Sequence, residues 1–178
     1  MTPPAVLWTA RLSVALWIIR WILQVGRHTS PRHSLMVASV WTAGCLVYLV
    51  HFATAMSLVH HWSHAAAWQH TAEQTQRVIG WTTGVGIWFN DLFTILWPVH
   101  VVDAWRCVGC GRTILSSRVR NAIDIYLTFI ILNATLVFGP PWWWAVFASA
   151  ATMAFVLRTV SRPGRNGRDR VLSTAEFP

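Results

Sequence analysis

Residues 35–59 read LMVASVWTAGCLVYLVHFATAMSLV, a stretch of the chain that contains no Asp, Glu, Lys or Arg. A helix needs about 20 mostly apolar residues to cross the hydrocarbon core of a bilayer. This stretch is therefore long enough and apolar enough to cross a membrane as one helix. It therefore indicates that the whole chain is a membrane protein, because a segment of this kind is most stable in lipid.

The composition of the full chain agrees with this prediction. Of 178 residues, 54% are apolar and 11% are charged, whereas soluble domains contain about 45–50% apolar and about 25% charged residues. The net charge of +8 arises from 14 basic residues, all of them Arg, against six acidic ones, and most of the arginines lie between the apolar runs and in the tail. This distribution is typical of membrane topology and argues against nucleic acid as a partner, so the expected partner is the lipid bilayer.

Four other runs approach the length of a membrane span. The predicted spans are residues 5–25, 35–59, 81–105, 122–138 and 142–160. They predict an all-α, polytopic transmembrane helix bundle that forms a single domain over residues 1–160. A flexible, basic cytoplasmic tail is expected at 161–178. The sequence Gly-Pro-Pro at residues 139–141 predicts a turn between the last two spans. The alternative has four spans, with the helix at 142–160 lying in the membrane interface.

The arginines also predict an orientation. Arginine-rich segments remain on the cytoplasmic side of a membrane. The segments 26–34 and 106–121 and the tail are rich in Arg, whereas 60–80 contains Arg77 alone and 139–141 contains none. We therefore expect a protein of the bacterial inner membrane, with its N-terminus outside and its C-terminus in the cytoplasm.

A histidine-rich segment follows the second predicted span. Residues 60–70 read HHWSHAAAWQH. If the helix continues through them, His60, His61 and His64 lie within about a 100° arc. Two imidazoles four residues apart on one helix can bind the same metal ion. The alternative is a polar interfacial helix whose imidazoles lie among lipid headgroups.

Polar residues inside the predicted spans form two layers. Ionisable side chains in a span are costly and need partners. The outer layer contains Arg11, His51, Asn90, Asp91 and Asn133, and the inner layer contains Arg20, His100, Asp103 and Asp124. Arg11 and Asp91 have similar depth, which favours an ion pair. We expect His51 to face Asn90 and Asp91, either as a metal or axial haem ligand or as a neutral imidazole bonded to neighbouring backbone. Asp91 is the candidate carboxylate ligand.

Cys107 and Cys110 have the spacing of half a zinc knuckle. A closed zinc site needs four ligands, and a thioredoxin-type site needs a preceding strand and a following helix. The alternative is a pair of small thiols in a basic cytoplasmic loop.

The strings HHWSHAAAWQHTAEQT (60–75), WFNDLF (88–93) and LNATLVFG (132–139) resemble an uncharacterised family of small polytopic bacterial membrane proteins. The likeness covers residues 41–139, and it implies a polytopic membrane fold without implying an activity. It also implies that His60, His61, His64, Asn90 and Asn133 belong to one pattern.

Two functions follow from the sequence. In the first, an outward-facing histidine cluster binds copper, zinc or iron, with haem b as an alternative cofactor, in a redox or transport-related protein. Its ligands are drawn from His51, His60, His61, His64 and Asp91, supported by Asn90, Asn133 and Arg11. In the second, the chain is a tryptophan-rich, non-catalytic accessory subunit of a larger membrane complex. The sequence leaves open whether the protein is an enzyme.

Overall fold

The computed structural model describes residues 3–25 and 30–160, and every regular element in these two ranges is a helix. The elements are α1 (Pro4–Val25), α2 (Pro31–Leu58), α3 (His64–Ile79), α4 (Gly86–Cys110), α5 (Ser117–Leu132) with a π-helical turn at its end (Asn133–Val137), and α6 (Trp142–Val160). The prediction of an all-α fold is confirmed over these ranges. The predicted tail at 161–178 lies outside the described residues.

Helices α1 and α2 pack antiparallel to each other. Near the start of α1, the Thr9 hydroxyl lies 3.3 Å from Nδ1 of His51, which is near the end of α2. Near the end of α1, the guanidinium of Arg20 lies over the ring of Trp41, 3.9 Å from its centroid. Each helix therefore begins where the other ends.

Helix α4 packs antiparallel to α2. The indole N–H of Trp105, late in α4, donates to the Thr42 hydroxyl early in α2 at 2.7 Å. Halfway along, the hydroxyl oxygens of Tyr48 and Thr94 are 2.7 Å apart. Residue numbers rise along one helix as they fall along the other, so α4 returns along the length of α2.

Helix α5 in turn packs antiparallel to α4. Arg120, in the first turns of α5, contacts Asp103 near the end of α4, and the Tyr126 hydroxyl donates to the Phe89 carbonyl near the start of α4. Helices α2 and α5 therefore run in the same direction, and both contact α4.

The antiparallel packing gives the bundle two ends. We define the arginine end as the one where α1 and α4 finish and α2 and α5 begin. The histidine end is the opposite one, where α3 lies against the start of α4. Helix α6 follows the direction of α1, because Arg11 lies over the Trp142 ring and Trp17 contacts Phe147 further along both helices.

Four helical segments are long enough and apolar enough to cross a membrane: Pro4–Val25, Pro31–Leu58, Ser117–Val137 and Trp142–Val160. The prediction of five spans is not confirmed by this criterion, and four spans with another helix are compatible with the fold. Helix α4 corresponds to the predicted span that is not apolar enough by this criterion. The four-span alternative drawn from the sequence instead places residues 142–160 in the membrane interface. Asp91, His100 and Asp103 lower the hydropathy of α4.

The centre of the bundle is an aromatic cluster between α2 and α4. Trp97 has no exposed surface, and its ring centroid lies 4.6 Å from that of Trp41 and 5.5 Å from that of Tyr48. Gly44 makes room for it, since a Cβ at this position would lie 3.1 Å from the Trp97 ring. The close packing fixes α4 against α2.

The chain between α2 and α3 forms a turn, so the continuous helix on which the convergence of His60, His61 and His64 depends is absent from this segment. Helix α2 ends at Leu58, and His61 and Trp62 have φ angles of 49° and 58°. These left-handed conformations are incompatible with a continuous right-handed helix. Ser63 then caps the start of α3 by accepting from the Ala66 N–H.

The predicted boundaries shift around the loop between α4 and α5. Helix α4 ends at Cys110, followed by Gly111 in the left-handed conformation. Cys107 and Cys110 therefore lie in the last turn of a helix, not in a loop as expected. Helix α5 begins at Ser117, five residues before the predicted span, because the Ser116 side chain caps it by accepting from the Val119 N–H.

Candidate functional site

At the arginine end, Arg20 of α1 is buried and forms an ion pair. Its Nη2 donates to Oδ1 of Asp124 on α5 at 3.0 Å, and its guanidinium plane covers the Trp41 ring. A buried charge is stable only when it is paired and hydrogen-bonded. Arg20, a member of the inner polar layer predicted from the sequence, thus connects α1 with α2 and α5.

The imidazole of His100 lies beside this pair and is 3% exposed. The Trp41 indole N–H donates to its Nδ1 at 3.0 Å. Indole is a donor only, so Nδ1 must be the acceptor and a neutral His100 carries its proton on Nε2. This Nε2 lies 3.4 Å from Oδ2 of Asp124 and makes no hydrogen bond to any described residue.

Asp103 is 2% exposed and fixes the loop between α4 and α5. Its Oδ1 accepts from the backbone N–H groups of Ile114 and Leu115 at 2.6 and 2.9 Å. Its Oδ2 accepts from Nε of Arg120 at 3.1 Å. Both carboxylate oxygens are therefore satisfied, and the loop is held against the end of α4.

These groups line a pocket of about 410 Å³ that opens at the arginine end. Its charged and imidazole lining consists of Arg20, His33, His100, Asp103, Arg120 and Asp124. Both carboxylates already accept hydrogen bonds from arginine or backbone. The guanidinium groups have five N–H donors each, and His100 adds an unused Nε2–H. The pocket therefore has more donors than free acceptors.

At the histidine end, the structure brings together two of the predicted metal ligands. His64 Nε2, at the start of α3, lies 2.9 Å from Asp91 Oδ2 on α4. The His60 ring instead contacts His70, with 5.3 Å between centroids. Burial, together with nearby His70 and His61, lowers the pKa of His60.

The other ligand candidates lie elsewhere. His51 Nδ1 is 3.0 Å from the Val6 carbonyl oxygen, which matches the alternative of an imidazole bonded to backbone. It faces α1, and the expectation that it faces Asn90 and Asp91 is wrong. Within residues 3–25 and 30–160, no group of three or more His, Cys, Asp or Glu side chains has an arrangement that would hold a metal ion. The turn after Leu58 separates His60 from His64, which removes the predicted i,i+4 geometry.

The predicted ion pair between Arg11 and Asp91 is wrong. Arg11 lies over the rings of Trp8 and Trp142, 5.2 and 5.5 Å from their centroids, while Asp91 is bonded to His64. Asn90 and Asn133 lie on different elements, the first turns of α4 and the π-helical turn after α5.

Cys107 and Cys110 are both exposed free thiols at the end of α4. Cys107 lines the pocket at the arginine end, whereas Cys110 is not part of its lining. The third cysteine of the chain, Cys45, is buried within α2. The pair therefore has no nearby thiol to extend it toward a four-ligand zinc site.

Sequence reasoning misses two members of the arginine-end site. Trp41 is one of 13 tryptophans and nothing in its neighbourhood distinguishes it. Arg120 contributes to the sequence prediction only as part of the arginine-rich segment 106–121, which indicates the orientation of the chain. The signal for Arg120 is present in part, because a buried Asp103 requires a cationic or N–H partner nearby.

Four helices of this length and composition indicate a helical membrane protein. No protein-family model, curated protein or solved structure matches the chain. The family likeness of residues 41–139 therefore stays a prediction, and function must be argued from the geometry alone.

Proposed function

We propose that the chain is a five-span integral membrane protein in which α4 is the additional span. The candidate spans α2 and α5 run in the same direction and both pack on α4, so the chain must recross the membrane between them. The 25 residues of α4 measure about 37 Å at about 1.5 Å per residue, which exceeds the roughly 30 Å hydrocarbon core. The low hydropathy of α4 reflects side chains such as His100 and Asp103, which face the bundle interior.

The arginine end faces the cytoplasm in this proposal, and the N-terminus lies outside. The segment from residue 111 to residue 121 at that end contains Arg112, Arg118 and Arg120 and no carboxylate, which favours the cytoplasmic side of a bacterial inner membrane. The histidine end, with Arg77 as its one basic residue in α3, faces outward.

Cysteine labelling tests this topology. In a variant without native cysteines, Ala65→Cys at the histidine end should react with a membrane-impermeant maleimide added outside intact cells. Thr113→Cys at the arginine end should react only after the membrane is opened. Reaction of both positions from the same side would contradict the five-span arrangement.

The pocket at the arginine end is proposed to bind a small anionic group. One observation carries this proposal: His100 lines the pocket, and its buried Nε2–H makes no hydrogen bond to any described residue, although Oδ2 of Asp124 lies 3.4 Å away. Buried donors require acceptors, and Arg20 and Arg120, each already paired with a carboxylate, have further N–H groups beside it. A carboxylate or phosphate group would provide acceptor oxygens for all three side chains.

Thermal unfolding in phosphatidylcholine nanodiscs tests the anion site, with inorganic phosphate as the probe at constant ionic strength. Phosphate should raise the Tm of the protein in proportion to RT ln(1 + [L]/Kd), and chloride should not. His100→Leu should abolish the rise, whereas His100→Gln should keep it, because an amide can accept from Trp41 and donate from its NH₂ group. A wild-type Tm that does not change when phosphate is added would overturn the proposal.

A metal site at the histidine end is the second candidate function, favoured by the 2.9 Å contact between His64 and Asp91. Copper, zinc or iron would need further ligands there, such as water. Zinc content after equilibrium dialysis tests it: His64→Ala should release the metal, and His51→Ala should retain it, because His51 is bonded to α1. Equal zinc in the His64 variant and the wild type would remove this candidate.

The accessory-subunit role stays a prediction. Its test is the native mass of the protein after mild extraction from the membrane. Association with other subunits at fixed stoichiometry would support the role, and a lone chain of 20.1 kDa or its homo-oligomer would contradict it.

A further inference from the structure

A second cavity, of about 470 Å³, adjoins the polar pocket at the arginine end. The two cavities share the lining residues Ser34, Cys107 and Val108. They therefore lie side by side between the first turns of α2 and the last turns of α4. A single ligand with two parts can occupy both.

The two cavities have opposite chemistry. The first is lined by arginines, carboxylates and the unused Nε2–H of His100. The second contains no charged side chain, and Leu35, Val108 and Trp105 give it an apolar lining. A molecule that fits both must have an anionic head and an apolar tail.

The second cavity also adjoins the lipid-facing surface. Leu35 and Trp105 are 44% and 40% exposed, and in the proposed topology both lie close to the cytoplasmic surface of the membrane. Tryptophan is enriched at this depth, where headgroups meet acyl chains. The apolar cavity is thus placed at the level of the first acyl carbons of the inner leaflet, with the arginines at headgroup level.

We infer that the occupant is an anionic phospholipid of the cytoplasmic leaflet. Its phosphate accepts from His100, Arg20 and Arg120, and the start of one acyl chain lies in the cavity beside Trp105. This inference rests on the proposed anion site and specifies its ligand. The N–H donors that Arg20 and Arg120 keep beyond their own carboxylate partners would bind the head, and the lipid-exposed rim of the apolar cavity favours a membrane lipid over a soluble anion.

The native cysteines provide the test. Cys107 lines both cavities, whereas Cys110, one turn later and exposed, lines neither. In Cys110→Ala combined with Cys45→Ala, the rate of alkylation by uncharged N-ethylmaleimide reports Cys107 alone. In Cys107→Ala combined with Cys45→Ala, the same reaction reports Cys110 as the matched control for any change in surface pH that an anionic lipid causes.

Nanodiscs of phosphatidylcholine are compared with and without phosphatidylglycerol. We expect phosphatidylglycerol to slow alkylation of Cys107 by about tenfold, as for a site filled roughly nine-tenths of the time, and to leave Cys110 within about twofold. His100→Leu should remove this protection, and His100→Gln should retain it.

Three outcomes would contradict the lipid assignment, and each shows which part of the proposal is wrong. If inorganic phosphate in phosphatidylcholine protects Cys107 as well as phosphatidylglycerol does, the anion site stands and its lipid assignment falls. If phosphatidylglycerol slows both cysteines equally, the effect belongs to the surface and the lipid assignment falls. If neither ligand protects Cys107 and phosphate leaves the Tm unchanged, the anion site itself is overturned.

Discussion

The two ends of the bundle differ in how their polar side chains are satisfied. At the arginine end, Arg20, Asp124 and His100 come from three helices and meet beside the ring of Trp41. At the histidine end, the contact between His64 and Asp91 joins side chains that are 46% and 30% exposed. A dense run of histidines in the sequence produces a partly solvated cluster, whereas scattered single residues produce a network in which Arg20 and His100 are buried and Asp124 is 35% exposed.

The difference follows from the cost of burying charge. A guanidinium or carboxylate in an apolar core must find a partner whatever the distance along the chain. Imidazoles near the membrane surface can be satisfied by water, so nothing forces them to converge. Local density is therefore a weaker guide to a site than burial.

The largest expected effect is at the arginine end. Arg20→Met should lower the free energy of unfolding by about 2–3 kcal/mol, because it removes both the ion pair with the partly exposed Asp124 and the cation–π contact with Trp41. Adding Asp124→Leu should recover at least about 1 kcal/mol of that loss. Denaturant unfolding in detergent micelles measures both.

The matched control is the pair that the sequence wrongly predicts. Because Arg11 and Asp91 contact other partners, losses from Arg11→Met and Asp91→Leu should add within about 0.5 kcal/mol. A coupling energy as large as that of Arg20 and Asp124 would show that the two ends do not differ as described.

The next effect concerns the attachment of α3 at the histidine end. A Cβ at Gly84 would overlap the indole ring of Trp68, close enough that a side chain or the backbone must move. Gly84→Ala should therefore cost about 1–3 kcal/mol. A Cβ at Gly109 in α4 would have no neighbour within 4 Å, so Gly109→Ala should gain up to about 1 kcal/mol. Thermal unfolding compares the two, and equal losses would contradict the packing.

The smallest effect is the pH dependence that His60 contributes. Because burial and nearby His70 and His61 lower the pKa of His60 below 6.5, the folded state binds its proton less readily than the unfolded state does. Its contribution to stability is present above the unfolded pKa and is lost as the pH falls through and below that value. NMR titration of the imidazole measures the pKa, and His70→Gln should raise it. A pKa that stays the same in that variant would exclude His70 as a cause.

Much of the fold is predictable from the chain because long apolar runs specify helices in lipid. The run at residues 35–59 anticipates α2 within a few residues, and the turn predicted at residues 139–141 lies between α5 and α6 as expected. Helix α4 is harder to predict, because the sequence indicates how deep its polar residues lie in the membrane but not which side chains they contact.

The candidate site is predicted poorly for a related reason. Depth identifies the inner layer as Arg20, His100, Asp103 and Asp124, yet it assigns no chemistry to these residues. The metal hypothesis relies on a continuous helix, and two left-handed residues at His61 and Trp62 break it. Such conformations in residues other than glycine depend on neighbours that a sequence pattern does not include.

The sequence by itself determined the helical class of the protein, the approximate spans and the arginine-rich segments, since these depend on local composition and on the energetics of burying charge in lipid. Only the tertiary structure decided that the Trp41 indole donates to Nδ1 of His100 beside a pocket, and that Asp91 pairs with His64 and not with Arg11. The reason is that hydrogen-bond partners are chosen by the rotation and register of packed helices, which many weak contacts set together.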